Sequence, residues 1–204
     1  MFSYGIKAGL ATTNPATKTE SALETDAAPG ILTPPQAAAL LAACEGDILA
    51  FHAIGLFAGL RVSEIRGLDW SDVDLAGGYV HVSAAKSKTR ARRLVPILDG
   101  LRAWIQPIAK PAGPIIQANF NKRLHATRNA AGITEWPENG LRHSFVSYRL
   151  ADTGNAALTA LEAGHDQAIL FRHYRELVKP KDAARYFNNR PAGAAGRKIT
   201  AMVG

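Results

Sequence analysis

Apolar positions follow a helical period over most of this chain and switch to a period of two over one short stretch. Apolar residues recur at helix-face spacing from Pro34 to Cys44, from Ile48 to Phe57 and from Leu98 to Ile108. Ile116, Phe120, Leu124 and Ala131 do the same within a longer helix expected over 115–131. The segment from Ile48 to Phe57 is apolar on nearly every side, which predicts a helix in the middle of the core. Thr33-Pro34-Pro35-Gln36 reads as a helix start: threonine caps, proline suits the first turn, and glutamine holds the capping-box position. Asp47 is expected to cap the next helix, Gly59 to end it, and a short helix to run from Ser63 to Gly67. Then the pattern alternates. Val73 to Leu75, Tyr79 to Ser83 and Arg93 to Ile97 read as three strands, turning at Ala76-Gly77-Gly78 and over 84–92. Further helices are expected over 140–151, 156–163, 168–178 and 181–187, with Pro180 separating the last two. The pattern therefore predicts an α+β fold, mainly α-helical, with helices around a small three-stranded antiparallel sheet.

The two ends differ from this middle. Met1 to Leu10 reads as the tail of a helix, and Ala11 to Gly30 is rich in Thr, Ala and Pro with a breaker at Asn14-Pro15, as in a linker. Residues 191–204 are Gly- and Ala-rich and are expected to be a mobile tail, leaving 31–190 as the folded domain.

Composition narrows the partner. A net charge of +7 over 204 residues favours a polyanion, nucleic acid first and an anionic membrane surface second. The single cysteine, Cys44, excludes an internal disulfide and a multi-cysteine zinc site, and its alanine neighbours suggest core packing. The longest apolar run, Ile48 to Leu60, is too short to span a bilayer and contains His52. No secretory signal is visible. The expected address is cytoplasmic and nucleoid-associated, with no membrane role.

Several polar residues sit where chemistry could use them. Arg61 follows the glycine that ends the buried helix; it could pair with Glu64 three residues on, or point into a junction. Residues 86–93, K-S-K-T-R-A-R-R, hold five cations: Lys86, Lys88, Arg90, Arg92 and Arg93. They read either as a solvated hairpin tip or as a basic finger for a DNA backbone, and among them only a lysine could also donate a proton. Asn139 and Arg142 share a helix face, although Asn139 could simply cap that helix. His143 points about 100° away from Arg142 and reads as a buried structural histidine. His165 follows a glycine corner, and Tyr174 comes nine residues later. Tyr4, Tyr79, Tyr148 and Tyr186 are rival tyrosines. Arginine, histidine and tyrosine together suit a phosphodiester, since the planar guanidinium grips two oxygens and a tyrosine can hold a phosphoryl group covalently.

Taken jointly these segments resemble the catalytic domain of the tyrosine recombinases, the phage-integrase family. A-G-L-R-V-S-E-I followed by L-D-W-S-D-V-D-L resembles the first arginine box; S-K-T-R-A-R-R-L-V-P resembles the lysine hairpin; N-G-L-R-H-S-F resembles the second arginine box; A-G-H with the later tyrosine resembles the nucleophile box. The resemblance implies a tyrosine-recombinase catalytic-domain fold and a metal-independent, cofactor-free DNA strand transferase. It implies catalytic roles for Arg61, Lys88, Asn139, Arg142, His165 and Tyr174, with Tyr174 the nucleophile of a 3′-phosphotyrosine intermediate. Lys86, Arg90, Arg92 and Arg93 become DNA-backbone contacts, and the partner becomes double-stranded DNA bound by a homo-tetramer. It also makes residues 1–30 the remnant of an N-terminal domain and its linker. One departure stands out: the family usually has His or Lys where this chain has Asn139, and an amide cannot accept a proton near neutral pH. A catalytically impaired DNA-binding remnant of an integrase, and a type IB topoisomerase-like enzyme that nicks and closes strands, are the alternatives.

Overall fold

The computed structural model describes residues 2–19, 29–84, 92–165, 170, 174 and 178–193. Its elements are α1 (Phe2–Lys7), α2 (Pro34–Ala42), α3 (Gly46–Ala58), α4 (Val62–Arg66), β1 (Val73–Asp74), β2 (Tyr79–Val82), β3 (Arg93–Pro96), α5 (Asp99–Ile105), α6 (Phe120–Ala130), α7 (Gly140–Thr153), α8 (Ala156–Ala163) and α9 (Pro180–Phe187). The α+β class with one small antiparallel sheet is thus observed, in the order β1-β2-β3.

α3 is the axis of the core. Every residue from Ile48 to Ala58 except Leu49 is buried, as an all-round apolar helix requires. α2, α5 and α7 pack around it. α7 presents Leu141, Phe145 and Tyr148 inward at helix-face spacing. Its buried hydroxyls at Ser144 and Tyr148 are both used: Ser144 accepts from the Leu32 N–H at 2.8 Å and donates to the Gly140 carbonyl at 2.6 Å, while the Tyr148 hydroxyl donates to the Leu32 carbonyl at 3.1 Å. α9 then closes the domain. Tyr186 stacks on Tyr148 with centroids 4.0 Å apart and donates to the Leu56 carbonyl on α3 at 2.9 Å.

Three expectations need correction. α3 starts one residue before Asp47, so Glu45 takes the N-cap position and Asp47 falls in the first turn. The buried Asp47 carboxylate instead accepts both arms of the Arg123 guanidinium and the Gln117 N–H. The helix expected over 115–131 begins only at Phe120, because the preceding backbone is committed elsewhere: the Ile115 N–H donates to the Leu68 carbonyl and that of Gln117 to Asp47. Asn119 makes the turn into α6 in the left-handed region, with φ of 58°. The third correction concerns Arg93. Val95 faces inward, and β-strand parity puts Arg93 on the same inner face. It is buried and cannot lie on a DNA backbone, whereas Arg92 beside it is exposed. Lys86, Lys88 and Arg90, and most of the helix expected over 168–178, lie outside the described residues.

Candidate active site

Three chain reversals bring the site together. Gly59 ends α3 in the left-handed conformation, with φ of 64°, where a Cβ would sit 2.2 Å from the Phe145 ring. Two residues later Arg61 stands at the N-cap of α4. Asn139, also left-handed, opens α7, so that Arg142 lies in its first turn. Gly164 closes α8 with φ of 62°; a side chain there would press on the Arg93 guanidinium at about 3.0 Å. Each reversal is legible as glycine or asparagine in the sequence, and each delivers one polar group to the same place.

The two arginines converge on one acceptor. Arg61 Nη2 donates to the Gly164 carbonyl at 2.8 Å, and Arg142 Nη2 donates to the same oxygen at 3.4 Å. Arg142 Nη1 is tied to the Gly59 carbonyl at 2.8 Å, which fixes its fork. Beneath them lies Glu64, fully buried. It accepts from Arg93 Nη1 and Nη2 at 3.1 and 2.7 Å, from Arg61 Nη1 at 3.0 Å and from the Arg61 N–H at 2.9 Å. Arg93 Nε donates to the Glu162 carbonyl at 3.0 Å. The salt bridge to Glu64 and the junction position of Arg61 are therefore both real. Glu64 is the anion that lets three guanidiniums gather.

Among the described residues, positive charge nevertheless exceeds the anionic charge packed against it. Burial, then the neighbouring Arg61, pulls the Arg142 guanidinium down to about 9. Burial, then Arg142 and Arg61, pulls the His165 imidazole down to about 4. His165 is accordingly neutral, and its buried Nε2 has no hydrogen-bond partner among the described residues. Such a pocket suits an anion with several acceptor oxygens.

Tyr174 stands at its edge. It is buried with Leu170, Phe145, Val146, Ala160 and Ala163 in a small apolar cluster between α7 and α8. Its ring meets His165 edge-on, with centroids 5.9 Å apart. Burial raises its phenol above the usual value, only partly offset by Arg142. Of the other tyrosines, Tyr148 and Tyr186 are buried in the main core, and Tyr4 and Tyr79 are exposed.

Two residues enter that sequence reasoning missed. His143, expected to be structural, is only half-buried, and its Nδ1 is hydrogen-bonded with the Tyr174 hydroxyl. Arg128, on α6, shares a shallow pocket with Arg61, Asn139 and Arg142, and lies over the Trp136 ring at 3.6 Å from its centroid. Burial lowers its guanidinium to about 10. Neither had a local signal, since each acquires its partner only when separate segments meet. Asn139 itself is exposed at the pocket rim, and its side chain does not cap α7. Among the described residues no group of three or more His, Cys, Asp or Glu side chains could hold a metal ion.

With this geometry in view, the comparisons with known proteins point one way. The model of the phage integrase family matches residues 31–179. A tyrosine recombinase XerC from Pseudomonas fluorescens is 30% identical over 199 residues, covering 87% of this chain and 66% of the relative. The crystal structure of XerA recombinase superposes with a TM-score of 0.62 at 19% identity, covering 81% of this chain and 66% of that one. That of a lambda integrase dimer bound to a COC′ core site gives a TM-score of 0.56 at 19% identity, covering 97% and 72%. The chain spans 44% to 68% of the length of the curated relatives it matches.

Proposed function

The chain belongs to the phage integrase family, and from that premise we propose that it cuts and rejoins DNA strands at a specific site through a 3′-phosphotyrosine on Tyr174. The observation that carries this is the convergence of Arg61 and Arg142 on one oxygen, with Arg142 near enough to the buried Tyr174 to act on its phenol. A scissile phosphate in place of the Gly164 carbonyl would offer both forks a non-bridging oxygen. The charge that builds on those oxygens in the pentavalent transition state is what preorganised donors stabilise most. Neutral His165 would donate its unpartnered Nε2–H to the same phosphate. Tyr174 Oη attacks phosphorus, the bond to the 5′ oxygen breaks, and Lys88, in the role the resemblance gives it, protonates that leaving oxygen. The 5′-hydroxyl of a partner strand then reverses the sequence. Guanidinium and imidazole groups carry the charge stabilisation that a metal supplies in many nucleases, and the covalent link conserves the bond energy without a nucleotide cofactor.

Residues 31–190 form the catalytic domain in this reading. The partner is double-stranded DNA, supported by the net charge of +7 and by the DNA-bound state of the lambda integrase relative. In this reading the chain acts as a homo-tetramer on DNA at a nucleoid-associated location; among the described residues no helix is long and apolar enough to cross a membrane. α9 is docked on its own α3 and α7.

The test is covalent trapping. A randomised pool of nicked duplexes is offered to the wild-type chain, to Tyr174→Phe and to Asn139→His, and denaturation-resistant adducts are selected. The reading expects an adduct with wild type and with Asn139→His, and none with Tyr174→Phe. Relaxation of supercoiled plasmid without any selected site would favour the topoisomerase alternative instead.

A further inference from the structure

We propose that His143 is the catalytic base of Tyr174, taking the phenol proton from a position one helical turn beyond Asn139. This rests on the recombinase reading of the same site. The geometry is direct: His143 Nδ1 is hydrogen-bonded to the oxygen that would attack phosphorus. No polar side chain intervenes, so the proton has one bond to cross. Residues 139 and 143 lie four apart at the start of α7, and the His143 N–H bonds to the Asn139 carbonyl at 3.0 Å. The amide of Asn139 cannot accept a proton, and its residue sits exposed at the rim.

The surroundings suit an acceptor. Among the described residues, the groups facing His143 are Arg142, Glu138, His165 and the Tyr174 phenol itself. Burial, then Arg142, holds the imidazole below its ordinary value against the smaller pull of Glu138. The ring is therefore neutral at neutral pH, and the proposed role places its proton on Nε2 and the Nδ1 lone pair on the phenol. Tyr174 needs that help, because burial holds its proton on. As the Oη–phosphorus bond forms and the bond from phosphorus to the 5′ oxygen breaks, the phenol proton passes to Nδ1 and leaves an imidazolium. In the rejoining step the 5′-hydroxyl attacks, the phosphotyrosine bond breaks, and the imidazolium returns the proton to Tyr174.

The experiment measures the rate of adduct formation on a duplex selected by wild type, at saturating DNA, across pH. His143→Gln keeps the size and a hydrogen bond but not the basicity. It should be slower by roughly 10²- to 10⁴-fold, with DNA affinity unchanged. Its deficit should shrink as pH rises and hydroxide replaces the missing base, and added imidazole should restore His143→Ala. A His143→Gln rate equal to wild type, or a deficit constant across pH with no imidazole rescue, would overturn the assignment while leaving the recombinase reading intact. An adduct that survives Tyr174→Phe, or no adduct from wild type on any member of the pool, defeats the recombinase reading and this inference with it. Nitrogen NMR of the wild-type His143 ring needs no variant to fold: it should show the Nε2–H tautomer, and an Nδ1–H tautomer would contradict the role.

Discussion

Glu64 and Arg93 form a bidentate ion pair, at 2.7 and 3.1 Å, in which the carboxylate has no solvent exposure and the guanidinium almost none. The pair is the floor of the site: Arg61 rests on the same carboxylate, and Arg93 is pinned across the chain to the Glu162 carbonyl. Removing Arg93 leaves the buried carboxylate with only the partly exposed Arg61 as a cation. Arg93→Ala should therefore lower unfolding stability by about 3–5 kcal/mol. The check is the urea midpoint; a change under about 1 kcal/mol would mean the pair behaves like one at the surface.

Arg92 should behave in the opposite way. It is exposed beside the buried Arg93. Arg92→Ala should leave the urea midpoint in place and flatten the salt dependence of DNA binding by about 0.9 in log–log slope, the amount set by neutralising one phosphate fewer. An unchanged slope would put this side chain away from the DNA.

Arg142→Lys tests geometry at constant charge. An ammonium cannot hold the Gly59 carbonyl and reach a phosphate oxygen at once, as the Arg142 fork is built to do. The rate of adduct formation should fall by about 10²- to 10³-fold, the loss typical of one oxyanion donor. DNA affinity should change far less. Equal losses in both would make Arg142 a plain DNA contact.

His52 gives a pH dependence remote from the site. It is buried in α3, with Nδ1 on the Ile48 carbonyl at 2.9 Å, and burial lowers its imidazole to about 4. The folded state therefore holds it neutral, while the unfolded chain protonates it below about 6.5. Between those values the unfolded state binds the extra proton, so stability is complete above about 6.5 and falls as pH drops toward 4. His52→Gln should reduce that slope, measured as Tm against pH; an identical slope would show that His52 is not the group responsible.

Much of this site can be read from the chain because its parts depend on local signals. Gly59, Asn139 and Gly164 announce the reversals, and Arg61, Arg142 and His165 stand within three residues of them. The burial of Arg93 is legible too, through strand parity with Val95, but the density of cations around it points to the surface instead. The role of Asp47 is not legible, because its partner Arg123 lies 76 residues away on another helix. The same holds for His143: nothing near N-G-L-R-H-S-F says that a hydroxyl 31 residues on will meet its Nδ1. Helix starts, stops and faces are local, whereas the partner of a half-buried polar group is settled by packing.

Everything proposed for this site turns on Tyr174 becoming covalently joined to DNA. Digesting the trapped adduct with protease and nuclease, then locating the nucleotide-bearing peptide by mass spectrometry, reads that bond itself. A 3′-phosphate diester on Tyr174 is the expected product. A nucleotide on Tyr4, Tyr79, Tyr148 or Tyr186, or a linkage through a 5′-phosphate, would contradict it.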